Sequence, residues 1–375
     1  MQNQAAYQPS QKAPSLQVRD APSPSSPSAG QLVIRNRAVA INPIDSLIQS
    51  RGNMMFTHLK YPFVLGYDMA GEVMQTGPGV THVKPGDRVL AFSRGPEKDT
   101  NDPAQSAFQK YAIVNEDFVC RIPETVDFAH AATLPLAVMT AAAALYDSSQ
   151  LGLKLPQLVS SSRKKSASTS KGTVLIWGGS TSVGCNAIQL AVASGYEVFT
   201  TASPKNHDLV CRLGATRVWD YKSPSVVDDI VAELKRRILV GAVSIGSGAA
   251  EKCIQIVGRC EGNRKIAMVT YPVPDKDPEN FAVLRTVAIF LFSLVSYKIR
   301  GLLGGFKSNL VVISPILDNG IARTVMTEYL PEALAEGSFV CAPEPEIVGE
   351  GLEYIQEAFV RLRGGVSAKK LVVSL

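Results

Sequence analysis

Apolar and polar positions change their spacing along the chain, and this change predicts two kinds of domain. Before Phe128, short apolar runs are separated by Gly, Pro and Asp without a helical period, which is typical of a β-barrel. After Phe128, strand-like runs alternate with helical segments, as in a doubly wound parallel sheet. We therefore predict an α/β protein with a β-barrel domain, residues 1–135 and 316–375, and a parallel-sheet domain, residues 136–315.

Within this plan, the pattern predicts individual elements. A Pro- and Ser-rich segment, residues 9–30, predicts a loop before the first firm strand, Gln31–Ala40. The Ala-rich run Ala129–Leu145 predicts one helix that leads into the second domain, and Phe339–Cys341 predicts a short strand. A Ser/Lys-rich stretch without apolar period, residues 155–171, predicts a mobile surface insertion.

The composition is that of a globular enzyme, with 46% hydrophobic and 19% charged residues and a net charge of +5. There is no basic stripe with interleaved aromatic residues, so no nucleic-acid partner is predicted. The N-terminus lacks an apolar core, which predicts no signal peptide and a cytoplasmic enzyme. Phe281–Tyr297 is the most hydrophobic stretch, but it contains Arg285 and is shorter than a bilayer-spanning helix of ~20 apolar residues. We predict a core or pocket helix there and no membrane span, with a membrane-surface helix as the alternative.

One βαβ pattern carries the first functional prediction. The strand-like run Thr173–Trp177 is followed by a small-residue turn at residues 178–184, a helix to Ala193 and a second strand, Tyr196–Thr201. Small residues let a dinucleotide pyrophosphate approach the backbone, and the helix N-terminus offers N–H groups and partial positive charge to that anion. The pattern predicts dinucleotide binding; the alternative is a βαβ unit whose turn is merely tight.

The end of the second strand predicts which dinucleotide binds. NAD-binding units usually carry an acid there, whereas this chain has Ser203, Lys205 and Asn206. A hydroxyl, an ammonium and an amide suit the 2′-phosphate of NADPH, which a carboxylate would repel. Tyr221 follows the next strand, in a place suited to the adenosine end of the cofactor. We predict NADPH; the alternative for Lys205 is a solvated turn lysine.

Four motifs occur in order along nearly the whole chain. They are Asn42-Pro43-Ile44-Asp45, Leu65-Gly66-Tyr67-Asp68-Met69-Ala70-Gly71, Lys84-Pro85-Gly86-Asp87-Arg88-Val89 and Val366-Ser367-Ala368-Lys369-Lys370-Leu371. Asn42 and Pro43 also suit the cap and first turn of a helix, so plain helix capping is the alternative for Asn42. Together the motifs resemble the medium-chain dehydrogenase/reductase superfamily. The chain most resembles its zinc-free, quinone-oxidoreductase-like branch, which includes fungal trans-acting enoyl reductases of polyketide synthases.

This resemblance implies a GroES-like β-barrel catalytic domain, a Rossmann domain and a set of contacts. Thr140 and its neighbours on the Ala-rich helix would line the substrate pocket, together with part of Phe281–Arg285. The implied cofactor contacts are Pro43, Ser46, Gly179, Ser180, Thr181, Ser182, Val183, Ser203, Lys205, Asn206, Tyr221, Val269, Thr270, Val366 and Ser367.

The chain departs from the zinc-dependent relatives at both metal-binding motifs. Those relatives place a Cys near the first motif and Gly-His-Glu in the second, where this chain has Asn42 and Gly66-Tyr67-Asp68. A catalytic zinc needs about three Cys, His or carboxylate ligands. Residues 91–110, where relatives hold a structural zinc, contain no Cys. We predict no bound metal.

Without a metal, hydride transfer needs a substrate that is already polarised by conjugation. The predicted activity is reduction of an enone or enoyl C=C bond by NADPH, with Asn42, Asp45, Tyr67 and Thr140 as candidate catalytic residues. Core packing is an equal alternative for Tyr67. The alternatives for the activity are a quinone or carbonyl reductase and a non-catalytic NADPH-binding protein. The predicted partner is a small conjugated substrate, and a polyketide synthase acyl carrier stays open.

Overall fold

A computed structural model of the protein describes residues 2–156, 171–270 and 282–375, and the side chains of residues 53–55 and 282–284 are also outside the description. Most of the predicted insertion at 155–171 therefore lies outside the described residues. The same holds for Phe281 and for the side chains of residues 282–284 in the predicted pocket segment Phe281–Arg285, of which Arg285 is described and is exposed.

The described residues form sixteen strands and twelve α-helices. The strands are β1 Asn3–Gln8, β2 Gln17–Ala21, β3 Gln31–Ala40, β4 Phe63–Val64, β5 Asp68–Thr76, β6 Arg88–Phe92, β7 Tyr111–Asn115, β8 Val119–Arg121, β9 Thr173–Trp177, β10 Glu197–Ala202, β11 Arg217–Asp220, β12 Leu239–Ser244, β13 Lys265–Met268, β14 Lys307–Leu310, β15 Glu344–Glu350 and β16 Lys369–Ser374. The helices are α1 Pro43–Met55, α2 Phe128–Ala131, α3 Pro135–Tyr146, α4 Ser182–Ala193, α5 His207–Arg212, α6 Val226–Leu234, α7 Ala249–Val257, α8 Ala282–Gly304, α9 Ser314–Asp318, α10 Ile321–Arg323, α11 Leu330–Ala335 and α12 Tyr354–Arg363.

The chain divides into two compact units. Unit 1 is Met1–Met139 with Ala322–Leu375, and unit 2 is Thr140–Ile321. The boundaries predicted at residues 135 and 315 fall a few residues earlier, because the first division lies inside α3 rather than at its start.

Unit 1 is built on a seven-stranded sheet in the order β15-β16-β3-β5-β6-β8, with β7 paired to β3. All its pairs are antiparallel except β15 with β16. Strand β3 is buried at consecutive positions near both ends, residues 32–34 and 38–40, and only Arg35 in its middle is exposed. The β-barrel architecture predicted for this domain is confirmed.

Unit 2 is a six-stranded parallel sheet in the order β11-β10-β9-β12-β13-β14. Its strands alternate with helices along the chain, and the central strand β9 is buried throughout. Continuous apolar runs are expected where helices cover both faces of a parallel sheet. The predicted doubly wound α/β domain is confirmed.

Three predicted elements differ from the structure. Residues 9–30 are not only loop, because β2 pairs with β1, where Ala5 and Ala6 are buried. The sequence Asn3–Gln8 reads as polar, yet the Asn3 amide is satisfied inside, donating to Gln109 at 3.1 Å. The predicted helix 129–145 is two helices, since Pro135 disfavours helical geometry in the residue before it.

The third difference concerns Phe339–Cys341, which is not a strand. The Phe339 N–H donates to the Ala333 carbonyl at 3.1 Å, so this segment closes the C-terminus of α11. Gly337 at φ +69° turns the chain there. The strand that pairs with β16 begins later, at Glu344.

Candidate active site

The turn between β9 and α4 is closed by atoms that leave no room for side chains. Gly178 has φ +90°, a conformation that favours glycine. A Cβ on Gly179 would lie 2.1 Å from Thr200 Oγ1, and one on Gly184 would lie 2.3 Å from the Gly178 carbonyl oxygen. The sequence Gly178-Gly179 and the later Gly184 are therefore needed for this turn to fold as it does.

Helix α4 begins directly after this turn, so its N-terminus lies near the carboxyl end of β9. Thr181 caps it, with Oγ1 accepting from the Gly184 N–H at 3.0 Å and donating to the Gly178 carbonyl at 2.8 Å. Within the described residues, Ser182 Oγ is buried and has no hydrogen-bond partner. A helix N-terminus carries unpaired N–H groups and partial positive charge. Residues 179–183 therefore fit the pyrophosphate of a dinucleotide.

This turn follows β9, and the order in which strands are added to the sheet reverses between β9 and β12. The β9 residue Trp177 pairs with Thr201 of β10 on one side and with Ser244 of β12 on the other. Ligands of doubly wound sheets bind at the carboxyl ends of the strands beside such a reversal. Beyond β12 and β13, the Gly246 N–H donates to Thr270 Oγ1 at 2.7 Å. Val269, next to Thr270, donates its N–H to Ser244 at 3.0 Å.

The segment after β10 is polar, with one exposed cation. Asn206 Nδ2 donates to Ser180 Oγ at 3.4 Å, which links this segment to the glycine turn. Ser203 precedes a single 3₁₀ turn, on which Lys205 is exposed. Tyr221 is 41% exposed. The residues predicted to bind the 2′-phosphate end thus share one edge of the sheet with the glycine turn.

In unit 1, four polar side chains form a buried cluster that joins three separate elements. Asn42 precedes α1, Asp45 lies in its first turn, Asp68 begins β5 and Lys370 lies on β16. Each is exposed by less than 5%. Lys370 Nζ lies 2.9 Å from Asp68 Oδ2 and donates to Asn42 Oδ1 at 2.5 Å. We call these four residues the buried cluster.

The hydrogen bonds in this cluster fix the direction of the Asn42 amide. Asn42 Nδ2 donates to Asp68 Oδ2 at 2.8 Å, and its carbonyl oxygen accepts from Lys370. The second Asp68 oxygen accepts from the Leu136 backbone N–H at 2.6 Å. A flipped Asn42 amide would face Lys370 with donors, so only one orientation satisfies the pair.

Asp45 is the second acid of the cluster, and its protonation follows from its position. Oδ2 accepts from the Asn42 N–H at 2.8 Å, and Oδ1 is buried without a hydrogen-bond partner among the described residues. Burial raises the pKa of Asp45 to about 8, and the Asp68 charge adds to the rise, against the opposing effects of the Asn42 N–H and Lys370. Asp45 is therefore mostly neutral at pH 7, which leaves Lys370 paired with one carboxylate.

Tyr67 lies in the core of unit 1. It is 2% exposed, stacks on Phe92 with ring centroids 5.8 Å apart, and donates its hydroxyl to Glu97 Oε1 at 2.9 Å. Burial, with the nearby Glu97 charge, raises its pKa well above the usual value. The position matches the packing alternative for this residue, and the hydroxyl is already used by Glu97.

The remaining predicted residues lie in both units. In unit 1, Pro43 is the first residue of α1, and Ser46 Oγ accepts from Arg363 at 3.1 Å. Val366 is half-buried and Ser367 exposed, just before β16. Thr140 is half-buried on α3 in unit 2.

Comparison with known proteins gives three findings. Residues 28–124 match the alcohol dehydrogenase GroES-like domain. The chain is 50% identical to dehydrogenase pigH of Monascus ruber over 373 residues, covering 100% of this chain and 99% of that one. The chain belongs to the medium-chain dehydrogenase/reductase superfamily. It is also 40% identical to trans-enoyl reductase himH of Aspergillus japonicus, covering 100% and 97% of the two chains.

The fold of this superfamily member is also found in a solved structure. The mycobacterial protein Rv1454c, solved in complex with NADPH, aligns over 100% of both chains with a TM-score of 0.67 and 20% identity. At that identity the likeness shows the fold alone. Membership of the superfamily, which the relatives above show, makes this chain an oxidoreductase with a nicotinamide cofactor.

Many members of the superfamily hold a catalytic zinc, but the buried cluster does not fit one. Within residues 2–156, 171–270 and 282–375, no three His, Cys, Asp or Glu side chains come together as metal ligands. Lys370 also places an ammonium between Asn42 and Asp68. A divalent cation in the same space would have to displace this charge. The positive charge in the buried cluster is therefore the ammonium group of Lys370.

Sequence reasoning missed Lys370 as a site residue, although it quoted the motif that contains it. The available signal was local: Lys370 precedes Leu371, Val372 and Val373, and all four are buried on β16. A lysine within a fully buried strand needs a paired, hydrogen-bonded anion. Its partner Asp68 could have been sought among the few acids in apolar strands.

Proposed function

We propose that this protein is a zinc-independent, NADPH-dependent reductase of an activated C=C bond in fungal secondary metabolism. The observation that carries the proposal is the ammonium of Lys370, held by Asn42 and Asp68 in the buried cluster. Zinc polarises a carbonyl directly as a Lewis acid, whereas the charge of this buried ammonium is already balanced by the Asp68 carboxylate. The substrate must then supply its own polarisation, as an enone or an enoyl thioester does.

The relatives agree with this substrate class. The similar protein from Aspergillus japonicus is a trans-enoyl reductase, and a second relative with that name, tndF of Aspergillus flavipes, is 32% identical over 377 residues. We propose a small conjugated molecule as the substrate, either free or carried by the acyl carrier of a polyketide synthase.

In the proposed reaction, one hydride and one proton add across the double bond. NADPH, when bound, supplies the hydride for the β-carbon. The negative charge that develops on the substrate carbonyl needs a hydrogen-bond donor, and we assign this role to the Asn42 amide. One Asn42 N–H bonds Asp68, and an amide has a second to give. A proton from solvent completes the α-carbon.

The cofactor preference rests on the segment after β10. Lys205 is exposed there, and Asn206 is hydrogen-bonded to Ser180 of the glycine turn. Residues 203–206 contain no acid to accept from a ribose 2′-hydroxyl. We propose that Ser203, Lys205 and Asn206 bind the 2′-phosphate of NADPH.

Deuterated NADPH tests the reaction class. With an enone substrate, the label is expected on the β-carbon of the saturated product, and treatment with a chelator should leave the rate unchanged. Label on the carbinol carbon of an alcohol would show a carbonyl reductase. Turnover of quinones without turnover of enones would show a quinone reductase, and oxidation of NADPH by none of these substrates would leave a binding protein.

A further inference from the structure

Helix α8 exposes apolar side chains between Leu291 and Leu303 on a scale that a packed domain rarely shows. Phe292 is 75% exposed, and Leu302 and Leu303 are 86% and 85% exposed. We call this surface the α8 patch, and its residues are Leu291, Phe292, Val295, Ile299, Leu302 and Leu303. Contiguous exposed apolar surface of this kind marks an interaction site.

A comparison within the chain separates this helix from an ordinary core helix. Among the residues that the structure describes, two segments are long and apolar enough to cross a membrane by length and composition, which alone is weak support for a membrane role. Phe128–Tyr146 is 72% buried, whereas Arg285–Gly304 is only 11% buried. Packing in the core therefore explains the apolar composition of Phe128–Tyr146 but not that of Arg285–Gly304.

Helix α8 is held to unit 2 by its opposite face. Tyr297 is 4% exposed and donates its hydroxyl to Glu251 of α7, and Gly301 packs against the backbone of Phe306. At about 100° per residue, Phe292, Val295, Ile299 and Leu302 fall on one side and these contacts on the other. Because one face of α8 is packed along unit 2, only its opposite face is open to lipid. A helix packed in this way does not span a bilayer.

The charged residues of α8 and of the segment that follows it all have one sign. No Asp or Glu occurs in residues 282–317. Lys298 and Arg300 are exposed and lie on opposite borders of the apolar arc, at ~100° per residue. Lys307 follows the helix, and Arg264 reaches its end, donating to the Gly304 carbonyl at 3.4 Å. Cations that border an apolar face are the pattern of helices in a membrane interface.

This charge pattern selects among the possible occupants of the surface. In a symmetric dimer, the patch would face its own copy, and the bordering cations Lys298 and Arg300 would face cations. An anionic surface instead offers opposite charge to both borders and an apolar layer to the centre. We propose that the α8 patch binds an anionic membrane surface, with its apolar side chains at the level of the lipid headgroups. This proposal does not depend on the reaction that the protein catalyses.

Vesicle co-sedimentation of the full chain tests the proposal. The protein is expected to bind phosphatidylcholine vesicles that contain phosphatidylserine, to bind pure phosphatidylcholine weakly, and to be released at ~1 M salt. Lys298→Glu/Arg300→Glu should lower the partition coefficient at least ~30-fold, because each cation near such a surface contributes about fivefold. Leu302→Ser/Leu303→Ser should lower it ~10-fold or more.

Two controls match these variants. Lys60→Glu/Lys84→Glu makes the same change of net charge on exposed residues of unit 1, and Ile238→Ser changes a side chain that is 69% exposed outside the patch. Both should bind like the wild type. Failure of the wild type to sediment with phosphatidylserine vesicles would overturn the proposal. So would a wild-type dimer in analytical ultracentrifugation that Leu302→Ser/Leu303→Ser converts to a monomer, since a second copy would then cover the patch.

Discussion

The glycine turn of unit 2 and the buried cluster of unit 1 are built in opposite ways. The turn uses neighbours in sequence, from Gly178 to Gly184, and works through the absence of side chains. The cluster uses charged side chains from α1, β5 and β16, and Lys370 lies 328 positions from Asn42. One region therefore depends on backbone geometry, and the other on the balance of buried charges.

Breaking the ion pair of the cluster should have the largest effect. In Lys370→Met, Asp68 stays buried without its cation, which typically costs about 3–5 kcal/mol in the free energy of unfolding. Lys370→Met/Asp68→Asn removes both charges and should recover most of this loss. Urea unfolding of the two variants measures it. A single variant as stable as the wild type would show that the pair is not buried as described.

A substitution at the cofactor edge should leave the fold unchanged and alter binding only. Lys205→Ala should weaken NADPH binding by roughly 1–3 kcal/mol, since a charge-assisted bond to phosphate is lost, and should barely change NADH binding. Fluorescence titration with both cofactors measures this. Lys235→Ala, on an exposed lysine that follows α6, is the matched control. Equal losses for NADPH and NADH in Lys205→Ala would contradict a phosphate contact.

Over a single pH unit near neutrality, the smallest effect concerns the role of charge in the cluster. The folded-state pKa of Asp45 is raised from 3.8 to about 8, so the folded protein holds an extra proton between these values. The free energy of unfolding should therefore fall as pH rises through this window, by at most about 1.4 kcal/mol per pH unit. Asp45→Asn, which resembles the neutral acid, should remove this contribution. Asp228→Asn, on a carboxylate that is 71% exposed, should keep the wild-type profile.

The same contrast explains what could be predicted from the sequence. The sheet of unit 2 follows from runs such as Thr173–Trp177 and from the turn after it, because local periodicity and small residues determine both. The predicted cofactor segment Ser203–Asn206 indeed follows β10. Interactions between neighbours in sequence leave a local pattern, and this pattern was sufficient there.

Long-range pairing leaves no such pattern. Nothing near Asp68 in sequence shows that its partner is Lys370, and Asn3 looks like a surface residue until Gln109 and Tyr111 satisfy its amide. From sequence alone, Tyr67 could be a hydrogen-bond donor to the substrate or a core residue. Its burial, its stacking on Phe92 and its bond to Glu97 favour the core position. These features depend on which strands become neighbours, which a single sequence does not specify.

The position of Lys370 in the last strand also orders the events of synthesis. At ~5–20 residues per second, Asn42 and Asp68 emerge on the order of tens of seconds before their cation is made. The segment Thr140–Ile321 is contiguous and can fold during this interval. Unit 1 cannot neutralise Asp68 in the same way until β16 has been translated. Maturation of the buried cluster therefore waits for the synthesis of β16, and ribosome-bound chains that stop before residue 370 should lack it.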